Sequence, residues 1–260
     1  MAAPELRSFS ISGVSYLLLF GTGTAAGFVD SIAGGGGVIT LPVLLNVGLG
    51  PAEALGTNKL QATFGSASAT WHYGQAGLIS MRASWPGVIA TLIGATAGSL
   101  GVRSLAPALL RWLIPWLLIA IALYVLLQPN LGKRARKPRC GLLPFHLLVG
   151  LALGFYDGFF GPGTGTFWAM AYVILLGYDL RKATAHTKLM NLSSNVASLL
   201  IFLFAGQMHF GAGLCLGAGQ LVGARLGSHL VIRDGARWIR PLLVTMALAI
   251  TVRLLWRQST

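Results

Sequence analysis

Two glycine-rich segments carry the residues of this chain that are best suited to chemistry. The first reads GFVDSIAGGGG at 27–37, and the second reads GFYDGFFGPGTG at 154–165. A glycine-rich segment that opens a helix presents backbone N–H groups without an intrahelical partner, and the helix dipole adds partial positive charge. Such an opening can bind an anion without a charged side chain. The sequence offers Gly34, Gly35, Gly36 and Gly37 in the first segment, and Gly161, Gly163 and Thr164 in the second.

A second pair of motifs follows, with ALGTNKL at 54–60 and ATAHTKL at 183–189. These motifs put Lys59 and Lys188 at equivalent positions in a chain that has only five lysines. Each ammonium group can pair with an anion. The alternative is that both lysines lie at span ends and extend toward the membrane interface. The sequence leaves these two interpretations balanced.

Asp30 and Asp157 are the equivalent acids of the two glycine-rich segments. Ionisable groups inside membrane segments are costly, which favours a role in proton coupling or gating. The alternative is structural, with each carboxylate accepting N–H groups of the turn that follows it. Because a carboxylate repels an anion, we favour the structural interpretation.

Uncharged polar residues near the two lysines complete the candidate site. Amides and hydroxyls can donate to an oxyanion and are cheaper to bury than charges, although helix bundles also use them for interhelical hydrogen bonds. His186, which is opposite Thr57, can titrate near neutral pH, but a hydrogen-bonded histidine at a helix end is the more frequent case. These candidates are Asn58, Gln61, His186, Thr187, Asn191 and Asn195, with the serines 193 and 194 assigned to helix contacts.

The composition indicates an all-α membrane protein. The chain is 55% hydrophobic and 10% charged, with a mean hydropathy of +0.72, which excludes an ordinary soluble domain. Two short apolar runs, 35–49 and 164–178, follow the glycine-rich breaks and predict half-length helices that either turn back or cross. Eight runs approach the ~20 residues that a helical span needs: 12–33, 60–80, 84–103, 109–128, 142–160, 189–207, 211–232 and 239–256.

The two halves of the chain are internal repeats. Gly94-x-x-x-Gly98 matches Gly219-x-x-x-Gly223, and the motif offsets stay between 125 and 129 residues. We interpret these glycines as sites of close helix packing. The predicted organisation is a first membrane repeat at 1–128, a basic linker at 129–140 and a second membrane repeat at 141–260.

Loop charges favour an inverted orientation of the repeats. If the short segments cross, twelve Lys and Arg residues fall on the side of the linker and six fall on the other side. If the short segments turn back, the split is nine and nine. Because basic loops tend to be cytoplasmic, we expect inverted repeats with a cytoplasmic linker.

Several other function classes are disfavoured. The net charge of +13 is concentrated at the ends of apolar runs, as in membrane proteins, so nucleic-acid binding is excluded. The segments 21–26 and 161–167 resemble nucleotide-binding loops only loosely, because neither has the required strand or the terminal Lys-Ser/Thr pair. No cofactor or metal is expected. An intramembrane enzyme is disfavoured because the five histidines are scattered and no HExxH or GxSxG motif is present.

The glycine-rich segments, GTNKLQ at 56–61 and HTKLMNLSSN at 186–195 resemble those of the sulfite exporter TauE/SafE family. The resemblance covers nearly the whole chain and implies a multi-pass permease of the bacterial inner membrane. It also implies a small sulfur-containing anion as substrate, such as sulfite or a sulfonate. We therefore expect a secondary transporter working by alternating access, with a passive anion channel as the alternative. The expected partners are the anion and the bilayer, and homo-oligomerisation stays open.

Overall fold

The computed structural model describes residues 13–106, 108, 109, 116 and 137–234. Within these residues the regular structure is helical, and no strand is present. The expected span at 239–256, most of the span at 109–128, and residues 129–136 of the linker lie outside the described residues. The helices are α1 (Gly13–Ala33), α2 (Gly36–Asn46), α3 (Pro51–Gln75), α4 (Met81–Arg103), α5 (Leu142–Phe159), α6 (Thr164–Leu175), α7 (Leu180–Phe204) and α8 (Phe210–Asp234).

Four of these helices are long and apolar enough to cross a membrane, namely α1, α4, α5 and α7. Large apolar side chains such as Leu17, Leu148 and Phe204 are exposed on their outer surfaces, as expected of helices that face lipid. The predicted half-length helices are confirmed, since α2 has 11 residues and α6 has 12. At ~1.5 Å per residue each is about 17–18 Å long, against a hydrocarbon core of about 30 Å.

The predicted starts of the two long helices after the breaks are wrong. The apolar runs begin at residues 60 and 189, but α3 begins at Pro51 and α7 begins at Leu180. Hydropathy excludes the polar motifs GTNK and HTK from a span, yet a helix continues through polar residues when the surrounding protein buries them. Proline fits the first turn of α3, where an N–H has no partner to lose. In α7 the N-cap carboxylate of Asp179 accepts from the N–H of Lys182 at 2.9 Å.

Glycines hold two pairs of helices in close contact, which confirms the packing interpretation. A Cβ atom on Gly94 of α4 would lie 2.8 Å from the backbone nitrogen of Phe155 in α5. A Cβ atom on Gly223 of α8 would lie 2.7 Å from the backbone nitrogen of Phe28 in α1. Without side chains at these positions, the backbones can approach closely, as small residues allow in membrane bundles.

The repeats exchange contacts in a matched way. Helix α1 of the first repeat packs on α8 of the second, and α5 of the second repeat packs on α4 of the first. The buried central helices follow the same rule, because α3 packs on α8 and α7 packs on α4. Equivalent elements therefore make equivalent contacts across the halves, which is the pattern expected of two copies of one unit.

Candidate functional site

The two glycine-rich breaks meet each other inside the bundle. A Cβ atom on Gly34 would lie 2.5 Å from the carbonyl carbon of Gly165, so the two backbones are in direct contact. The hydroxyl of Thr166 donates to the carbonyl oxygen of Ala33 at 3.1 Å and fixes this contact. The breaks of the two repeats thus form one junction, from which α2 and α6 begin.

The glycines of the junction are required for two different reasons. Gly34, Gly161 and Gly163 have φ values of 81°, 94° and 83°, which a residue with a Cβ adopts only with strain. Gly36, the equivalent of Gly163 in the repeat, has no positive φ. Its requirement is space, because a Cβ atom there would lie 2.8 Å from the Cβ atom of Asp30.

A polar cavity of about 30 Å³ lies at this junction. A volume of this size holds about two water molecules, so a tetrahedral or pyramidal oxyanion requires the cavity to widen. Both repeats contribute its walls, as the breaks predict. The lining residues are Asp30, Gly34, Gly36, Gly37, Asn58, Lys59 and Ala62 from the first repeat, and Asp157, Gly161, Gly163, Thr164, Gly165, Asn191, Asn195 and Gln220 from the second.

The two lysines form ion pairs that cross between the repeats. The Nζ atom of Lys59 lies 2.7 Å from Oδ1 of Asp157, and the Nζ atom of Lys188 lies 3.0 Å from Oδ2 of Asp30. Lys59 is 1% exposed and Lys188 is 0% exposed. The alternative that these lysines extend to the membrane interface is therefore wrong. Buried charges need such partners because an isolated ion in a low-dielectric interior is very costly.

The two aspartates differ in their remaining contacts. Oδ1 of Asp30 accepts from the N–H of Gly36 at 3.0 Å, which is the contact expected of a structural carboxylate. Oδ2 of Asp157 instead accepts from the hydroxyl of Ser194. The second break satisfies its backbone internally, since the N–H of Gly161 donates to the carbonyl of Tyr156 at 3.3 Å. The expected contact between Asp157 and the following turn is therefore replaced by side-chain partners.

Lys59 is the more central of the two lysines. Besides its ion pair, its Nζ donates to the carbonyl oxygen of Asp157 and to Oδ1 of Asn195, the latter at 3.4 Å. Lys188 does not line the cavity and acts on it through Asp30. The charged side chains at the cavity are thus paired, and a bound anion adds a charge to a neutral set.

Two amide groups point toward the junction. The oxygen of Asn58 accepts from Thr40 at 2.6 Å and from Gln61 at 2.8 Å, which orients the Asn58 nitrogen toward Gly37. The side-chain nitrogen of Asn191 similarly faces Gly165, because a Cβ atom on Gly165 would lie 3.0 Å from it. The site therefore has two N–H₂ donors near the first turns of α2 and α6.

Five of the candidate residues are not brought to the cavity wall: Gly35, Gln61, His186, Thr187 and Lys188. Gln61 instead holds Asn58, and Gly35 is the N-cap of α2. Thr187 donates to the carbonyl of Ala183 at 2.8 Å, within its own helix. Nδ1 of His186 lies 3.0 Å from the carbonyl oxygen of Lys182, four residues earlier in its own helix. His186 and Thr187 precede the cavity residue Asn191 by more than one helical turn, so the helical rise places them beyond the end of the cavity.

Sequence reasoning missed Gln220, and it assigned Ser194 only to helix contacts. Gln220 lies within the motif Gly219-x-x-x-Gly223 on an otherwise small and apolar helix face, and an uncharged polar residue there was a usable signal. Asn195 follows Asn191 by four residues, so both lie on one face of α7. Both Oε1 of Gln220 and Oδ1 of Asn191 are buried without a hydrogen-bond partner in the described part of the chain.

Long apolar helices that enclose a polar cavity between broken helices define a membrane protein of the transporter class. The chain belongs to the sulfite exporter TauE/SafE family, whose sequence profile matches residues 19–254. It is 44% identical to the probable membrane transporter protein YfcA of Escherichia coli (strain K12) over 248 residues, which are 95% of this chain and 92% of the relative.

A probable membrane transporter protein of Haemophilus influenzae is 45% identical over 242 residues, covering 93% of this chain and 95% of the relative. The probable membrane transporter protein YjnA of Bacillus subtilis is 23% identical over 253 residues, covering 88% and 96%. No solved structure matches the chain.

Proposed function

We propose that the chain is a multi-pass secondary transporter that moves a small sulfur-containing anion, such as sulfite or a sulfonate, across the bacterial inner membrane. The observation that carries this proposal is the cavity at the junction of the two breaks. Two ion pairs join the repeats there, because the lysine of each repeat pairs with the aspartate of the other. Family membership supports a transported anion of this chemistry.

The cavity supplies the donors that an oxyanion needs. Asn58 and Asn191 each direct an amide nitrogen toward it, and Thr164, whose hydroxyl donates to the carbonyl of Gly161, lines it at the first turn of α6. The helix openings at Gly37 and Gly165 add the partial positive charge of two N-termini. Lys59 supplies the full positive charge, and it becomes available when Asp157 releases it.

The crossed ion pairs suggest how binding is linked to alternating access. Each pair has one partner in each repeat, so a relative movement of the repeats breaks the pairs. A buried lysine without a partner is unstable, because removing one member of a buried pair costs about 3–5 kcal/mol. An anion that replaces the carboxylate of Asp157 removes this cost. The substrate can thus stabilise the intermediate that lies between two closed arrangements.

Coupling to protons follows from the same charges. An anion at Lys59 leaves Asp157 with an unpaired negative charge, and protonation of that carboxylate returns the cavity to neutrality.

We infer the repeats to be inverted with a cytoplasmic linker. Lys59 and Lys188 are buried in ion pairs within the bundle and do not lie at span ends, so one residue leaves each side of the charge comparison. Eleven basic residues then remain against five.

The test is flux in liposomes that contain the purified protein. We expect saturable uptake of at least one of radiolabelled sulfite, thiosulfate and sulfoacetate, and a changed rate when a pH gradient is imposed. Flux that rises linearly with concentration would instead indicate the passive channel. No protein-dependent flux of any of these anions would overturn the proposed substrate class.

A further inference from the structure

Buried polar groups without hydrogen-bond partners occur on α4, α5 and α6, away from the residues that line the cavity. The indole Nε1 of Trp168, the hydroxyl of Tyr172, both ring nitrogens of His146 and the hydroxyl of Ser84 have no hydrogen-bond partner among the described residues. All four side chains belong to residues that are at most 1% exposed. A buried polar group left without a partner costs about 1–3 kcal/mol, so these four cases require an explanation.

Two of these groups extend from the cavity along α6, and we refer to the set of four groups as the column. Trp168 and Tyr172 follow the cavity residue Thr164 at intervals of four residues, so all three share one face of α6 over about 12 Å. The rings of Trp168 and Tyr172 are stacked with centroids 5.6 Å apart. Phe145 contacts both rings and precedes His146 in α5.

His146 of α5 and Ser84 of α4 are the other two members of the column. A Cβ atom on Gly87 of α4 would lie 2.8 Å from the imidazole ring of His146 and 3.2 Å from the sulfur of Met190. Ser84 lies one turn before Gly87 and is buried on the same helix. The column therefore runs between α4, α5, α6 and α7.

The outer end of the column carries exposed basic side chains. Tyr178 stacks on Tyr172 with a centroid distance of 5.5 Å, and Nζ of Lys182 lies 4.1 Å from the centre of the Tyr178 ring. Arg139, which is exposed, is placed at the same end because its N–H donates to the carbonyl of Leu175 at 2.8 Å. Basic groups at the mouth of a path attract anions from solution.

The described part of the first repeat has no such column. The residues that precede His146, Trp168 and Tyr172 by the 127 residues separating Asp30 from Asp157 are Leu19, Leu41 and Leu45. Leu19 and Leu41 are fully buried in an apolar cluster. In the motif that aligns Ala54 with Ala183, Glu53 takes the place of Lys182. The imidazole, indole and phenol groups and the basic residue Lys182 are thus specific to the second repeat.

We propose that this column is a second anion site, which holds the substrate by neutral donors between the cavity and the Lys182 end of the bundle. The inference rests on the proposed transport function and adds a second binding step to it. Indole and phenol groups and an imidazole N–H donate to an oxyanion without a fixed charge that would trap it. Their partners are missing because the column is closed in this arrangement, and the anion supplies them when the column opens.

The experiment removes single donor atoms and compares transport with stability. Tyr172→Phe and Ser84→Ala each delete a hydroxyl that has no partner among the described residues, so we expect an unchanged or higher melting temperature for the purified protein. Uptake of radiolabelled sulfite, thiosulfate or sulfoacetate should fall about tenfold in Tyr172→Phe, the factor expected for one hydrogen bond to a charged group. Affinity for the same anion at the cavity, measured at equilibrium, should change by less than about twofold, because Tyr172 does not line it.

Two matched variants serve as controls. Tyr73→Phe removes a hydroxyl that donates to the carbonyl of Ser31 at 2.8 Å, and Ser99→Ala removes one that donates to the carbonyl of Gly158 at 3.1 Å. Both should lower the melting temperature and keep the uptake rate per folded protein. Wild-type uptake in both Tyr172→Phe and Ser84→Ala would overturn the second site, as would a loss of uptake that only follows a loss of stability. Absence of uptake in the wild-type protein would instead refute the transport function itself.

Discussion

The ammonium group of Lys59 lies 2.7 Å from the carboxylate of Asp157, a residue of the other repeat. The equivalent lysine, Lys188, makes the reciprocal contact with Asp30 at 3.0 Å. The two repeats are therefore joined at the cavity by ion pairs, and in the proposed function a small anion replaces the carboxylate of such a pair. The lysines would then contribute both to the stability of the fold and to anion binding, so the two effects must be measured separately.

Lys59→Met should lower stability and anion affinity together. The substitution leaves Asp157 buried without its cation, which costs about 3–5 kcal/mol in the free energy of unfolding. The loss of a charge-assisted hydrogen bond should weaken anion binding by about 1–3 kcal/mol. Thermal denaturation and equilibrium binding in detergent measure the two effects.

The double variant Lys59→Met with Asp157→Asn separates these effects. It removes both charges, so most of the stability should return while the anion affinity stays low. Arg233→Met is a control for charge removal in general, because its pair with Asp234 is on the surface and its side chain is 71% exposed. Recovery of anion affinity in the double variant would show that Lys59 does not contact the anion.

Asp157→Asn should bind the anion more tightly than the wild-type protein. The substitution frees Lys59, which lines the cavity, from its competing carboxylate. Asp30→Asn should have a smaller effect, because the lysine that it frees lies behind the cavity wall. The anion-dependent rise in melting temperature of the two variants provides the comparison. Equal effects of the two substitutions would contradict the central role assigned to Lys59.

The sequence predicted the parts of the site that depend on local pattern. The glycine-rich breaks, the half-length helices and the small-residue contacts each have a signature that a short segment contains. The partner of each lysine was not predictable, because the repeat alignment equates Lys59 with Lys188 without saying which aspartate faces which lysine. The starts of α3 and α7 were missed for a related reason, since only tertiary burial explains why a helix continues through GTNK. Gln220 was recognisable as a polar residue on a small and apolar helix face, but its place at the cavity was not predictable because it depends on where α8 meets the junction.

Single-cysteine labelling tests the inverted arrangement of the repeats. In a background in which Cys140 and Cys215 are replaced, position 7 should react from the periplasmic side and position 136 from the cytoplasmic side. Ala76, which is exposed between α3 and α4, should react from the cytoplasmic side as well. Labelling of positions 7 and 136 from the same side would rule out five crossings per repeat and favour four.

Substitutions of the junction glycines should abolish transport without preventing membrane insertion. Gly36→Val places a side chain against Asp30, and Gly163→Val adds a Cβ at a φ of 83°. Both changes also fill the space where an anion would approach backbone N–H groups. Uptake in liposomes reports transport, while expression in the membrane fraction and a monodisperse elution profile report folding.

Two other glycines separate the causes of such a loss. Gly206→Ala tests backbone strain alone, because Gly206 has a φ of 63° and no atom lies within 4 Å of the position that a Cβ would take. Gly21→Ala tests added volume in a helix, since the space around its Cβ position is equally open and it has no positive φ. Both control variants should transport normally, with at most a modest loss of stability in Gly206→Ala. If Gly36→Val and Gly163→Val insert, stay monodisperse and carry the anion at the wild-type rate, the anion does not pass the helix openings, and its route lies elsewhere in the bundle.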